Sequence, residues 1–437
     1  MMRRGKASSW FIVVLLFAGF IGLGWYHRAY RLHYQANQQL LQEVQAAPLV
    51  SAEEPPLGSE GDWPQWRGRH RDGLSRETGL LSTWPARGPT VVWQVPIGLG
   101  YSSMAVADGK LFTQFQEGEQ EVAVCLDAST GQELWRRAYP GKYRTDPAYG
   151  PCPRATPAVD GERVYLVSGG GLALCLAVAD GKELWKKDLL ADFAASLPKW
   201  GVASSPLLVE DAVIVQPGGP GAALAALNRY NGSPLWHAHD DPAGYSSPLV
   251  ATLAGRRQIV HFSGDSLLSV SPAGALLWRF PWETSHHCNA ATPIVRGDYV
   301  FISSSYGKGC ALVKVTPSGA EAVYETNEMC NHFASSILVG EHLYGFSDSI
   351  LKCLDFRTGQ PAWTKRGLGK GSLLAADGKL IILGENGYLC LANATPAGYE
   401  ELASFRFSSR RCWSAPVLAQ GKLYVRDTEK LVCYALK

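Results

Sequence analysis

The stretch Asp127-Ala128-Ser129-Thr130-Gly131-Gln132-Glu133-Leu134-Trp135 returns, altered, as Asp180-Gly181-Lys182-Glu183-Leu184-Trp185 and as Asp355-Phe356-Arg357-Thr358-Gly359-Gln360-Pro361-Ala362-Trp363. Each copy pairs an acidic residue with a glycine and places a tryptophan shortly after. Asp accepts from nearby backbone N–H groups and Gly supplies positive φ, so each copy reads as a tight turn into a strand. The preceding residues alternate in polarity, as in Arg163-Val164-Tyr165-Leu166-Val167, the pattern of a short antiparallel strand. Working outward, self-comparison finds one unit used eight times over residues 61–437, at about 47 residues each, the period of propeller blades. The units open at Ser102-Ser103, Ala155-Thr156-Pro157, Ser204-Ser205-Pro206, Ser246-Ser247-Pro248, Ala291-Thr292-Pro293, Ser335-Ser336, Gly371-Ser372 and Ser414-Ala415-Pro416. They end on Trp135, Trp185, Trp236, Trp278, Tyr324 and Trp363, with Leu402 or Phe405 in the seventh.

The eighth unit stops at Cys433-Tyr434-Ala435-Leu436-Lys437, short of a last strand. The missing piece, Gly88-Pro89-Thr90-Val91-Val92-Trp93, stands ahead of the first unit. Thr90–Val95 is therefore predicted to complete the eighth blade, which removes a free sheet edge. The predicted fold is all-β: an eight-bladed β-propeller of four-stranded antiparallel blades, closed by an N-terminal strand. Seven blades plus a stray hairpin is the alternative. Composition agrees: 46 glycines and 26 prolines in 437 residues argue for many turns and against a helical bundle. A formal charge of +2 offers no basic field for nucleic acid.

The N-terminus reads differently. Trp10 to Tyr26 is an unbroken apolar run of 17 residues behind Arg3, Arg4 and Lys6, at the short end of a membrane span. No small-residue cleavage site follows, so an uncleaved signal-anchor is favoured over a cleaved signal. The predicted organisation is a cytoplasmic segment 1–7, a transmembrane helix 8–26, a linker 27–60 and the propeller 61–437. This places a monomer in the cytoplasmic (inner) membrane as a single-pass protein, with the propeller in the periplasm.

Cys125, Cys175, Cys353, Cys390 and Cys433 recur at one strand position, as small buried residues do. Cys152, Cys288, Cys330 and Cys412 precede first strands and fall on one face of the ring. Ser168-Gly169-Gly170-Gly171 and Gly218-Gly219-Pro220-Gly221 lie between strands; they read as hairpin turns, since a phosphate cradle needs a helix start behind it.

The repeated Asp-to-Trp turns, together with the opening Asp62-Trp63-Pro64-Gln65-Trp66-Arg67-Gly68 and Asp72-Gly73, resemble the PQQ-binding-like (quinoprotein alcohol-dehydrogenase-like) β-propeller repeat family, in its membrane-tethered bacterial branch. The resemblance implies that Trp93, Trp135, Trp185, Trp236, Trp278 and Trp363 dock on neighbouring blades. Members include quinoprotein dehydrogenases and non-enzymatic scaffolds. A PQQ enzyme needs cations for the cofactor's carboxylates, an aromatic floor, Ca²⁺ ligands and an Asp base. This sequence has no adjacent cysteine pair and no C-x-x-C-H haem motif. The reading is a binding or scaffold module for a cell-envelope protein or polymer, without cofactor; the alternative is a dehydrogenase using PQQ with Ca²⁺.

The candidate binding residues gather on the loops before the first strands: Tyr101, Arg154, Trp200, Tyr245, His287, Asn331, His332, Lys370, Arg411 and Trp413. No catalytic residue and no metal ligand is assigned. His286-His287-Cys288-Asn289 and Cys330-Asn331-His332 open adjacent units. Three readings stay open for them: a Cys288–Cys330 disulfide, a metal site sharing His287 or His332, or two unpaired thiols.

Overall fold

The computed structural model describes residues 58–437 except Lys142, Arg144 and Pro147. The predicted helix over 8–26 and most of the linker lie outside the described residues. Among the described residues no helix is long and apolar enough to cross a membrane.

Eight four-stranded antiparallel sheets are present among the described residues. Blade 1 is Ala105–Ala107, Lys110–Glu117, Gln120–Asp127 and Glu133–Pro140, and six further blades repeat this order along the chain. In blade 8, Val91–Pro96 lies outside Lys430–Ala435, which pairs with Lys422–Arg426 and through it with Val417–Ala419. Trp93 stands opposite Cys433 and Val95 opposite Leu431, and Thr90 O accepts from Ala435 N. The N-terminal strand closes the ring as predicted, shifted one residue toward the C-terminus.

Burial follows from the layering. The second strand of blade 1 buries Leu111 to Gln116 without a break, because sheets cover both of its faces. The outermost strand alternates instead: it exposes Glu133 and Leu134, buries Trp135 and exposes Arg136. All ten cysteines are free and buried, including the five at the recurring strand position. Both glycine-rich stretches connect the second strand of a blade to its third.

Three devices join the blades. The first is the docked aromatic. The Trp93, Trp135, Trp185, Trp236 and Trp363 indoles donate to the Ala128, Val178, Arg229, Pro272 and Thr395 carbonyls of the next blade. The Tyr324 hydroxyl does the same to Phe356 O. In blade 7 the residue is Phe405, packed against Trp84 and Tyr434. Trp278 departs from the expectation: its indole turns back to Gln258 Oε1 of its own blade at 2.6 Å. The reason is local. Blade 5 turns over tightly at Thr316-Pro317-Ser318-Gly319, where Thr316 pairs with Gly319, and it lacks the longer Asp-to-Gly turn.

Trp363 aside, each docked ring lies on a turn glycine of positive φ. At Gly181, φ is +68° and a Cβ would stand 2.6 Å from the Trp135 ring. Gly181→Ala combines left-handed strain with overpacking, so a loss of about 2–3 kcal/mol is expected in urea denaturation. Gly161→Ala is the control, since its φ is also positive but nothing lies within 4 Å; a loss of no more than about 1 kcal/mol is expected there.

The second device is the pair that opens each unit. Ser102 Oγ donates to Ala155 O, Ser103 Oγ to Ala415 O and Ser246 Oγ to Ala291 O. Ser205, Ser247 and Ser335 hydroxyls accept from the Thr156, Ser205 and Thr292 amides. Small hydroxyl residues are needed where adjacent backbones approach this closely and still carry polar groups.

The third device is the leader, residues 58–80. Trp63 pairs with Val106 of blade 1, and Pro64 O accepts from Val159 N of blade 2. The Arg71 guanidinium bonds Pro206 O and Pro248 O at the entries of blades 3 and 4. Trp66 Nε1 donates to Thr292 Oγ1 of blade 5 and Arg67 Nη2 to Ser336 O of blade 6, both at 2.8 Å. Ser75 N bonds Ala375 O of blade 7, and Gln420 of blade 8 bonds Gly61 O and Asp62. One short segment thus bonds all eight blades and fills one end of the central channel.

Candidate functional site

The other end of the channel holds a cavity of about 140 Å³. Its floor is Trp66 of the leader, and small residues such as Ala203, Ser205, Ser247, Ala290, Ser372 and Ala415 contribute to its wall. At six of the eight opening pairs the residue just before the pair lines it: Tyr101, Arg154, Ala203, Tyr245, Ala290 and Trp413. An antiparallel blade sets these positions, because every first strand starts at the same height around the axis.

Aromatic rings form a collar at the mouth. Trp200 contacts Tyr245 at 5.6 Å and stacks on Tyr306 at 6.4 Å between centroids. Tyr306 contacts His332 at 5.5 Å, which meets Phe333 at 6.0 Å. Phe333 lies 4.8 Å from Trp413, which reaches Tyr101 at 5.2 Å and Tyr149 at 5.3 Å. Two polar atoms of the collar are buried without a partner, Trp200 Nε1 and His332 Nδ1. Burial first, then the nearby Lys370 charge, lowers the His332 pKa to about 4, so its imidazole is neutral at physiological pH.

Cations rest on the rings. Arg411 lies 4.6 Å over Trp413 and also over Tyr149, Lys199 4.9 Å over Trp200, and Arg154 5.5 Å over Tyr101. Arg411 also donates to the Tyr101 hydroxyl. Lys370 stands near enough to Cys288 and His332 to shift both. Among the described residues, no carboxylate forms an ion pair with Arg154, Lys199, Lys370 or Arg411.

Six of the ten sequence candidates line the cavity: Tyr101, Arg154, Trp200, Tyr245, His332 and Trp413. Arg411 and Lys370 are not among the lining residues. His287 is not brought in; its Nδ1 is 2.6 Å from Asp265 Oδ1 and the side chain is exposed. Asn331 is a buried strut whose amide donates to Phe346 O and accepts from Ser336 Oγ. The sequence reading missed Trp66, Tyr149, Tyr306 and Phe333. The signal for Phe333 was its place beside the Ser335-Ser336 pair; Trp66 and Tyr306 had none.

The Cys288–Cys330 disulfide is not formed: both thiols are free, and each is hydrogen-bonded elsewhere. Cys288 faces the Tyr306 hydroxyl, while Cys330 Sγ donates to Asn327 O at 3.5 Å. Cys152 and Cys412 turn back the same way, onto Tyr149 O and Arg410 O. The metal reading does not assemble either: among the described residues no three His, Cys, Asp or Glu converge.

One ionisable group lies buried between blades 1 and 2. Glu121 accepts from Gly169 N at 3.1 Å through both oxygens and is also hydrogen-bonded to Tyr143. Burial raises its pKa to about 8, against the pull of those hydrogen bonds and of Arg154. The Tyr143 hydroxyl continues to Cys152 O, in the loop that carries Tyr149 to the collar.

Residues 79–152 and 149–365 match the family described as outer membrane protein assembly factor BamB. The chain belongs to that family. Its description, an assembly factor, agrees with the leaning away from catalysis, and the quinoprotein-like resemblance is met. The BamB of Shewanella oneidensis is 26% identical over 251 residues, 53% of this chain and 62% of that protein. The BamB of Marinobacter adhaerens is 27% identical over 156 residues, 36% of this chain and 34% of that protein. The matches thus span less than two thirds of either relative. The crystal structure of BamB from Moraxella catarrhalis aligns with a TM-score of 0.58 at 14% identity, over 80% of this chain and 98% of that one. A quinohemoprotein alcohol dehydrogenase from Comamonas testosteroni aligns at 0.60 and 12%, over 87% and 81%. At such identities the likeness is one of fold.

The cavity does not suit PQQ with Ca²⁺. Its lining has one guanidinium, Arg154, and no carboxylate, whereas Ca²⁺ takes six to eight oxygens, carboxylates prominent among them. Its volume is also below the roughly 300–1,000 Å³ of ordinary ligand and cofactor sites.

Proposed function

We propose that this chain is a non-catalytic binding module of the cell envelope. Residues 8–26 anchor it in the inner membrane, 27–60 tether it, and 61–437 form the periplasmic propeller. The observation that carries this reading is the channel mouth: an aromatic collar with four cations that form no ion pair among the described residues, although the Glu385 carboxylate accepts from the Trp413 indole and the Lys370 amide, and a lining without the ligands or base of a dehydrogenase. The names of the relatives, assembly factors of the outer membrane, support an envelope protein as partner.

Two measurements test it. A photo-crosslinking amino acid at Tyr149 is expected to trap an envelope protein in cells, and one at exposed Leu235 on the outer strand of blade 3 serves as comparison. PQQ with Ca²⁺ is expected to give neither a thermal shift nor dye-coupled alcohol oxidation; turnover would overturn the reading. For the anchor, the full chain is expected to stay in the membrane pellet after alkaline carbonate extraction, and residues 27–437 to be released.

A further inference from the structure

We infer that the channel mouth is a seat for an acidic peptide segment that inserts one aromatic side chain. The inference rests on the binding-module reading and names its ligand chemistry. Size comes first. A cavity of about 140 Å³ has the room of one ring, since an apolar hole of about 150 Å³ takes benzene. Its walls are small and largely apolar, and its floor is the Trp66 ring, so a side-chain ring entering it finds aromatic and aliphatic contact on all sides.

Charge comes second. The four cations belong to different inter-blade loops: Arg154 between blades 1 and 2, Lys199 between 2 and 3, Lys370 between 6 and 7, and Arg411 between 7 and 8. A small anion inside the hole meets only Arg154, since Lys199, Lys370 and Arg411 are not in the lining. An extended chain crossing the mouth can, with carboxylates on both sides of its inserted residue. A cationic ligand is disfavoured, because Lys199, Arg154 and Arg411 already cover faces of the rings it would seek.

The mouth is also clear of the leader. Gly61 and Asp62 bond the Gln420 turn, between the first two strands of blade 8. That turn lies on the opposite face from the loops that open the blades.

The test uses the full chain and the capped, fluorescently labelled peptide Glu-Glu-Phe-Glu-Glu, read by anisotropy at two salt concentrations. Saturable binding that weakens with salt is expected. Replacing the central Phe by Ala in the peptide is expected to weaken it at least tenfold, and a Lys-flanked peptide is expected not to bind. In the protein, Ala203→Leu fills the cavity from its wall and Lys199→Glu removes one rim cation; each is expected to weaken binding about tenfold with an unchanged unfolding midpoint. Ala290→Leu repeats the filling from another blade should Ala203→Leu fold poorly. Equal binding of the Ala-centred or Lys-flanked peptide overturns the inference, as does no binding at all. So does 3-phenylpropionate binding as tightly as the peptide, which marks a small-molecule site instead. Any of these results leaves the crosslinking experiment free to support the binding module through another surface, so the two failures are distinguishable.

Discussion

Replacing Arg71 by alanine is expected to destabilise the propeller by about 3–5 kcal/mol. Its guanidinium is buried, bonds the Pro206 and Pro248 carbonyls of two blades, and takes a third bond from its Nε to Gln65 Oε1. Burial lowers its pKa to about 9, so it remains charged at neutral pH. Each carbonyl left without a donor in the interior costs about 1–3 kcal/mol, and the emptied volume adds a cavity cost. Arg71→Lys is expected to fall between, since a single ammonium does not reproduce the fork that spans two blades. Urea denaturation followed by tryptophan fluorescence checks this, with exposed Arg87→Ala as control. An Arg71→Ala loss below about 1 kcal/mol refutes the role of the leader as a hub.

Glu121→Gln is expected to stabilise the protein, and by an amount that grows with pH. The folded pKa of Glu121, about 8, lies above its ordinary 4.5. The folded state therefore holds a proton that the unfolded chain releases between those values. The stability contribution of this group is fully present below pH 4.5 and is lost as pH rises to about 8. Glutamine keeps the acceptor for Gly169 N and a donor toward Tyr143, but cannot ionise. The expected advantage is close to zero at pH 4 and on the order of 3 kcal/mol at pH 7. Unfolding midpoints of both proteins from pH 4 to 8 decide it. A pH-independent difference would falsify the buried-proton account.

Much of the architecture was legible because it repeats. The Asp-to-Gly turn and its tryptophan show blade number, and the truncated eighth unit shows the closing strand. Both arise from local chemistry, turn dihedrals and strand alternation, reused at a fixed period. Trp278 shows the limit: its own sequence matches the other docked tryptophans, but its partner depends on a turn in the next blade. The candidate site was legible in part for the same reason. Residues preceding the opening pairs share a height in the ring, so Tyr101, Arg154, Tyr245 and Trp413 were found. His287 and Asn331 sit in equally suggestive positions, yet their side chains are held by Asp265 on one side and by Ser336 and the Phe346 carbonyl on the other.

The sequence by itself determined the class of fold, the ring closure, the burial of the repeated cysteines and the loops on which the site lies. Only the tertiary structure decided what the loops enclose. It brought Trp66, more than thirty residues ahead of the first blade's opening pair, to the floor of a cavity walled by later blades. It placed Tyr306, from a second-to-third-strand turn, against Trp200 of another blade and over Cys288, and it left the Cys288–Cys330 pair unjoined. It drew Arg67 and Arg71 inward to the carbonyls of three blades. The arginine contacts join residues separated by 135 to 269 positions, and no local period encodes them. They follow from where a closed ring places its axis, and from the need to satisfy every polar group that the axis buries.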